Sequence, residues 1–479
     1  MALPMRVSFS VPDADVSLVE IDGSPYDEDV EMDLVPDLTV LRATEATLHL
    51  VEHNVDFEYV GPDGVMEDSG FEFGGEGGMW GLQKVKAVDA DILRARDVDY
   101  QGIWWADALI SRESLRKTRL MTHQNYTNCP PPDPLLDPPD IPPGYSERNI
   151  FAHRSTTTTR VPTIAHFQLR HLLSPATSTA VYHAKGTQIM RYNPHNPAAA
   201  CQVVIDLLSG ESTRIGTRPT TLAADAAVVA TAGFYGEYAY TLENNYDEDA
   251  DQKDFTGFLT GSAHGIGNHV HISRSRSSES PVLVYTSNDS SIRTIDTAQN
   301  VCLSGHSTPW APNTSSTSPD ARLRLVGGDS CDAVIIDAES GGIIANLKAH
   351  TDWIFTSAWS PSWYLATGSQ DTTARLWDAR NFSAPVATLP AQCGSVRTLD
   401  FGGANGTLLA VAESADFVTL WDTSKERMQV IDFFGEVAGI GFVESQGSER
   451  LWIGVSDERV GGLMEYEADL DRDLADLVI

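Results

Sequence analysis

The chain is 479 residues long, 42% hydrophobic, and carries a formal net charge of −34 at pH 7. That length supplies a large buried core in one domain plus an arm, and the acidic excess disfavours binding to nucleic-acid phosphates except through a local basic face. No stretch approaches the roughly 20 apolar residues of a membrane span, so neither a membrane nor nucleic acid is expected as a partner.

The N-terminus, MALPMRVSFSVPDADV, has neither the basic start nor the sustained apolar run of a targeting segment. The five cysteines, Cys129, Cys201, Cys302, Cys331 and Cys393, are odd in number and form no CxxC pair, which fits a reducing compartment, cytoplasmic, nuclear or both. Residues 1–80 hold nineteen Asp and Glu against Arg6 and Arg42, so half of the net charge lies in the first sixth of the chain. We read residues 1–100 as an acidic N-terminal arm, solvated and partly disordered, the alternative being a lure for a basic partner. Apolar runs within it, such as LTVLRATEATLHLVEH, leave strand pairing or docking open for parts of the arm.

Over 101–128 the segment SRESLRKTRL places Leu115 and Leu120 at helical spacing with Ile110 behind, which predicts a short helix. Its opposite face, Arg112, Arg116, Lys117 and Arg119, reads as solvated or as a partner for the chain's own acidic arm; an acidic protein is the alternative. CPPPDPLLDPPDIPPGY, within 129–150, holds eight prolines. These bar a regular helix and favour extended polyproline, a semi-rigid linker rather than a ligand for SH3- or WW-type modules.

From 151 to 469 one pattern repeats. TID at Ile295, IID at Ile336, LWD at Trp377, LWD at Trp421 and an aromatic at Tyr466 follow one another at steps of 41, 41, 44 and 45 residues. Tyr240 in YAYT and Tyr192 in QIMRY extend the series upstream, with the acidic insertion NNYDEDADQKD lengthening the step from Tyr240 to Ile295. Seven markers at a period of about 40 to 45 residues predict seven four-stranded units. An all-β ring of such units has no free sheet edges. Residues 470–479 remain as a C-terminal tail.

One unit carries a full set of polar groups. His350, Thr367, Asp371 and Trp377 stand at intervals that let the indole N–H donate to the Thr hydroxyl, the hydroxyl to the imidazole and the imidazole to the carboxylate. A His, a Thr and an Asp also make a hydrolase triad, but the Trp and the strand spacing favour a structural tetrad that ties three strands together. Most units lack it: the sixth has Asp416 five residues before Trp421 and Gln392 in place of a His, and the fourth has Ile336 and Asp337 with no His nearby. Such units rest on apolar strands like VLVYTS, LLAVAES and RLWIGVS.

The stretch HTDWIFTSAWSPSWYLATGSQDTTARLWD, from His350 to Asp378, resembles the WD-repeat family. Five segments resemble a set of fungal and plant WD-repeat proteins over about residues 100–468: QGIWW, TIAHFQLRHLL, Ile344 to Arg380, LAVAESADFV and DFFGEVAGIGF. The resemblance implies a seven-bladed WD-repeat β-propeller behind an acidic arm and a short helix. It departs at Trp105, which follows Trp104 where Pro then Trp is the family order. It implies further that Trp353 and Gln370 face the rim where partners dock, with a packing role as the alternative. WDAR, Trp377 to Arg380, looks like the box by which some WD-repeat proteins attach to the adaptor of a cullin-type ubiquitin ligase. There Asp378 and Arg380 would lie at the blade's edge, Arg380 as a forked donor that Lys cannot copy.

Enzyme motifs of the GxxxxGK[ST], GxSxG and HExxH types are missing, and GIG at Gly265 to Gly267 is a fragment. His264, His269 and His271 have no Cys or carboxylate at ligand spacing, so no metal and no cofactor are expected. RSRSSES reads as a solvent loop, or as a phosphorylation site. The expected function is a non-catalytic protein–protein interaction scaffold. The alternative is a substrate receptor of a cullin-type or other multisubunit ubiquitin ligase, with its adaptor as partner.

Overall fold

Runs that are mostly apolar, such as Val228–Gly233 and Leu408–Glu413, are buried along their whole length, as strands covered on both faces must be. They lie second in antiparallel sheets whose strands follow chain order in the computed structural model. It describes residues 85–129 and 149–469, apart from 96–97, 107, 209–216, 243–253, 263–264, 275, 277–279, 404, 426 and 446. The chain divides into two units, Met1–Leu50 and Val51–Ile479, and the described residues belong to the second. The expectations for the arm before residue 85, the proline-rich linker, the acidic insertion, His264, most of RSRSSES and the C-terminal tail fall outside the described residues.

Five sheets have four strands each, over 173–206, 219–258, 267–307, 312–348 and 354–390. The sixth has eight: Val396–Gly402, Leu408–Glu413, Ala415–Asp422, Arg427–Ser445, Ser448–Ser456, Gly462–Ala468, Phe151–Thr157 and Ala87–Asp89. Its long strand Arg427–Ser445 pairs first with Ala415–Asp422 and then, from Glu436 on, with Ser448–Ser456. Gly435, at φ 117°, sits where the two pairings meet. Read as two blades sharing that strand, this sheet brings the ring to seven. The first strand of each blade packs against the first strand of the next, and Arg427–Ser445 packs against Leu173–Thr177, so the circuit returns to its start. The markers Tyr192, Tyr240, Ile295, Ile336, Trp377, Trp421 and Tyr466 all fall on third strands, none more than 5% exposed.

Two devices join the blades. Apolar side chains of neighbouring sheets interlock, as where Ala366, Leu376 and Leu389 meet Leu399, Leu409 and Trp421. In addition, six inner strands bulge at the same place, leaving Thr220, Asn268, Asn313, Phe355, Arg397 and Ala438 outside the ladder. A bulge re-aims its side chain. Asn268 Nδ2 donates to the carbonyl of Pro312 at 3.1 Å, and Asn313 Nδ2 to that of Ile354 at 3.3 Å, each reaching the inner strand of the next blade.

Phe151–Thr157 forms the outer strand of the last blade, against Gly462–Ala468. Phe151 is buried in that blade's core, and Gln429 accepts the amides of Ile150 and Phe151 at 2.6 and 2.8 Å. Across the same strands Arg450 pairs with Glu465 and with Glu467, and Arg154 reaches Glu467 at 2.8 Å. Ala87–Asp89 then pairs with Phe151–Thr157 as a further strand. Part of the range read as the acidic arm is therefore a strand of the closing sheet.

The tetrad closes as a hydrogen-bonded chain. Trp377 Nε1 donates to Thr367 Oγ1 at 3.0 Å; His350 Nε2 lies 2.8 Å from that oxygen and His350 Nδ1 2.8 Å from Asp371 Oδ2. Asp371 also accepts from Thr373 Oγ1 at 2.6 Å and from the Thr351 amide at 2.9 Å. Burial opposes ionisation of this carboxyl, but His350 and these donors win and hold it well below the usual carboxylate range. Asp371→Ala leaves His350, Thr373 and the Thr351 amide without their acceptor, and we predict a loss of about 1 to 3 kcal/mol in urea unfolding; an unchanged unfolding midpoint would contradict this.

Candidate interaction site

Antiparallel order puts the loops between second and third strands, and those leading into each first strand, on one rim; the other loops lie on the opposite rim. His350, Asp352, Trp353, Gln370 and Asp371 belong to the first rim, whereas Asp378 and Arg380, after the third strand Thr373–Asp378, belong to the second. The four candidate partner-binding residues thus divide between two surfaces.

The first rim is occupied by the chain itself. Helix α1 (Ala90–Ala95) follows the edge strand, and helix α2 (Arg112–Thr122) starts from Ser111, whose hydroxyl accepts the Ser114 amide. Gln101, 2% exposed, anchors the approach: its amide nitrogen donates to the carbonyls of Phe434 and Val460, and its oxygen accepts the Phe434 amide. Trp105 donates to Asp99 at 2.7 Å and packs on Phe434, which settles the Trp104–Trp105 turn. Three of the four residues of the basic face of α2 lie against the propeller; Arg112 also reaches Asp99, inside the range read as the acidic arm, at 3.7 Å, and Lys117 is exposed. Arg116 and Arg119 both reach Asp416, at 2.7 and 2.5 Å, and Arg112 reaches Asp432 at 2.8 Å. The Arg116 guanidinium also stacks 4.3 Å from the Phe434 ring and 4.5 Å from that of Phe417. The predicted apolar face contributes less: Leu115 is half-buried against Ile103, Phe434 and Val460, and Leu120 is exposed. Charges win because a buried Asp416, its side chain 6% exposed, requires cationic partners.

Beyond α2 the strap 123–129 crosses the rim. Asn125 donates to the carbonyl of Cys393 at 2.9 Å, and the Asn128 amide donates to Asp352 at 3.0 Å. Gln370 Nε2 donates to the carbonyl of Tyr126 at 2.8 Å, while Arg397 donates to the Tyr126 hydroxyl at 2.9 Å and to Gln370 Oε1 at 2.6 Å. Gln370 is consequently buried under the chain's own Tyr126 and is not offered to a partner in this conformation; Trp353 is half-buried beside it. Burial lowers the Arg397 guanidinium to about 10, still charged at neutral pH, and Phe355 lies 4.1 Å beneath it. Tyr126, Asn125 and Asn128 escaped the sequence reading because the rim groups they meet lie more than 200 residues away, and Arg397 because nothing near it in sequence announces Tyr126.

The second rim is open at the fifth blade. Asp378 accepts from the Arg380 amide at 2.9 Å and from its Nε at 2.8 Å, so the guanidinium is held outward. That hydrogen-bonded cation keeps the Asp378 carboxyl down at about 2. Arg380 stands 5.9 Å from the ring of Trp363, itself 61% exposed, and Val386 nearby in the same loop set is 54% exposed. The Ala379 amide donates to the Trp363 carbonyl at 2.7 Å, joining the two loops.

His269 and His271 lie on the inner strand Gly267–Arg274, with the His171 ring 4.5 Å from that of His269. His271 Nε2 is 2.8 Å from Thr317 Oγ1. Among the described residues no group of three or more His, Cys, Asp or Glu is arranged to hold a metal, and no helix is long and apolar enough to cross a membrane.

No protein-family model matches the chain. It is 34% identical to the protein transport protein SEC13 of Phaeosphaeria nodorum over 148 residues, 26% of this chain and 47% of that protein. It is 29% identical to DDB1- and CUL4-associated factor 10 of Xenopus tropicalis over 109 residues, 22% of this chain and 24% of that protein. An uncharacterised protein of Schizosaccharomyces pombe is 24% identical over 276 residues, 54% of this chain and 73% of that one. The chain thus spans less than half the length of the first two. Among solved structures, a chain of the mitotic checkpoint complex superposes with a TM-score of 0.52 at 17% identity, covering 71% of this chain and 99% of that one. With the ring of antiparallel sheets and the Trp–Thr–His–Asp network, these likenesses define a WD-repeat β-propeller protein.

Two outcomes follow. Asp416→Asn keeps a residue that tolerates its φ of 71° but removes the charge shared by Arg116 and Arg119. Hydrogen exchange in 112–126 should rise by about tenfold or more with the strands unchanged; equal exchange would sink the docking role. Separately, burial lowers His153, His166, His171 and His183 to about 4 and His271 to about 3, and raises Asp400 and Glu413 to about 7. Below pH 6.5 the unfolded histidines take up protons that the folded ones refuse, which costs stability; the two carboxyls act in the opposite sense between pH 7 and about 4. Burial also lowers His269 and His306 and raises Asp99, Asp254, Asp329 and Glu449, but only Asp400 and Glu413 are raised as far as about 7, so the melting temperature should fall from pH 6.5 to pH 5, and a steady rise over that interval would contradict the assignment.

Proposed function

We propose that this propeller is a non-catalytic protein-interaction scaffold whose available docking surface is the second rim at the fifth blade. One observation carries the reading: at the fifth to seventh blades the first rim is covered by the chain's own helix and strap, while Trp363 and Arg380 stand exposed with the guanidinium held outward by Asp378. An exposed Trp beside a preset Arg is the composition of an interface hot spot. The five free cysteines support residence in a reducing compartment, the cytoplasm or the nucleus.

The more specific form of the reading is a substrate receptor of a cullin-type ubiquitin ligase, with Arg380 contacting the adaptor. The WDAR tetrapeptide supports it, as does the likeness to DDB1- and CUL4-associated factor 10, a protein whose name states those associations. In that assembly the rim holding Arg380 meets the adaptor, and a forked guanidinium supplies paired hydrogen bonds to carboxylate or carbonyl oxygens.

Affinity purification with mass spectrometry tests both levels. The wild-type chain should recover a ligase adaptor, and Arg380→Ala should lose it with an unchanged melting temperature, the truncation costing about 2 kcal/mol or more of binding. A wild type that recovers no adaptor removes the receptor reading. Partners that remain bound after both Arg380→Ala and Trp363→Ala remove this rim as the docking surface.

A further inference from the structure

The strap carries a thiol that meets a second one on the rim. Cys129 Sγ lies 3.2 Å from Cys331 Sγ, and the two are separated by 202 residues in the chain. Cys331 stands in the loop between Leu323–Gly328 and Asp332–Asp337, on the same rim as Gln370. Both thiols are half-buried and free, and the residue before Cys129, Asn128, is already fixed to Asp352. Cys201, Cys302 and Cys393 have no such neighbour among the described residues. A bonded pair sits about 2.05 Å apart, so bonding needs an approach of about 1.2 Å at the end of an exposed strap, not a rearrangement of the ring.

We propose that Cys129 and Cys331 form a reversible disulfide that fastens the strap onto the first rim and withholds Asp352, Gln370 and Arg397 from any competing protein. The oxidant class is a low-molecular-weight disulfide such as oxidised glutathione. The Cys129 thiolate attacks one glutathione sulfur and displaces the other glutathione as its thiolate, leaving a mixed disulfide on Cys129. Cys331, losing its proton, attacks the Cys129 sulfur and displaces the second glutathione thiolate. The Sγ–Sγ bond forms, the glutathione S–S bond is broken, the cysteine pair gives up two electrons, and both protons end on glutathione. Burial, the Cys129 sulfur, Asp352 and Asp332 all push the Cys331 thiol up. In a reducing compartment the bond is transient, as expected of a regulatory rather than a structural disulfide.

The experiment uses the full chain, incubated with oxidised or with reduced glutathione, alkylated, digested without reduction and mapped by mass spectrometry. Oxidised glutathione should yield a linked Cys129–Cys331 peptide as the main intramolecular disulfide, while Cys201 and Cys393 are recovered alkylated. Hydrogen exchange over 123–129 should slow at least tenfold in the oxidised chain, and Cys331→Ser should abolish the difference while keeping the wild-type melting temperature when reduced. Recovery of Cys129 and Cys331 only as thiols or as separate glutathione adducts would overturn the proposal, as would equal exchange in oxidised and reduced wild type.

Discussion

Ring closure rests on Phe151–Thr157 taking the edge of Gly462–Ala468, a pairing that joins residues such as Arg154 and Glu467, 313 positions apart. An unclosed ring would leave one sheet edge with a row of unpaired amides and carbonyls, and the two inner strands flanking the break would each lose one neighbour. The strand is held in several ways at once: ladder hydrogen bonds, Phe151 in the core of the closing blade, Gln429 gripping the backbone, and the Arg450–Glu465–Glu467–Arg154 series across three strands. A contact this distant in sequence forms late and slowly, so the ring is expected to gain its full stability only when both ends have met.

The region before the closing strand builds on the same seam. Ala87–Asp89 extends the closing blade, Gln101 bonds backbone on either side of it, and the α2 arginines neutralise Asp416 and Asp432 on the rim above. Asp416 stands in a turn with left-handed backbone and accepts the Gly435 amide as well. Its burial without Arg116 and Arg119 would leave an uncompensated charge, so helix and rim depend on each other. This mutual dependence makes the seating of α2 on the first rim a property of the folded ring.

The fold was legible because its signals are local and repeat. The seven markers recur because each third strand buries one large side chain at the same depth, and the tetrad is readable because its four groups lie within 28 residues of chain, His350 to Trp377. The candidate site was legible only in part. Arg380 and Asp378 bond to each other two residues apart, so a tetrapeptide contains their geometry. Gln370 looked like a rim residue because nothing near it in sequence announces Tyr126, which covers it from 244 positions upstream. The α2 arginines were assigned to solvent or to the acidic arm for the same reason: their acceptors, Asp416 and Asp432, lie about 300 residues further on. Helical periodicity reported the weaker Leu115 contact and missed the charge pairs that seat the helix.

The first rim is covered by the chain at the fifth to seventh blades, while the second rim is open at the fifth blade. Hydroxyl-radical footprinting of the full chain, read residue by residue by mass spectrometry, measures this asymmetry directly. Phe355, Phe417 and Phe434, beneath the strap and α2, should stay almost unlabelled while Trp363 on the opposite rim reacts rapidly. Labelling of those three phenylalanines at rates comparable to Trp363 would contradict the account.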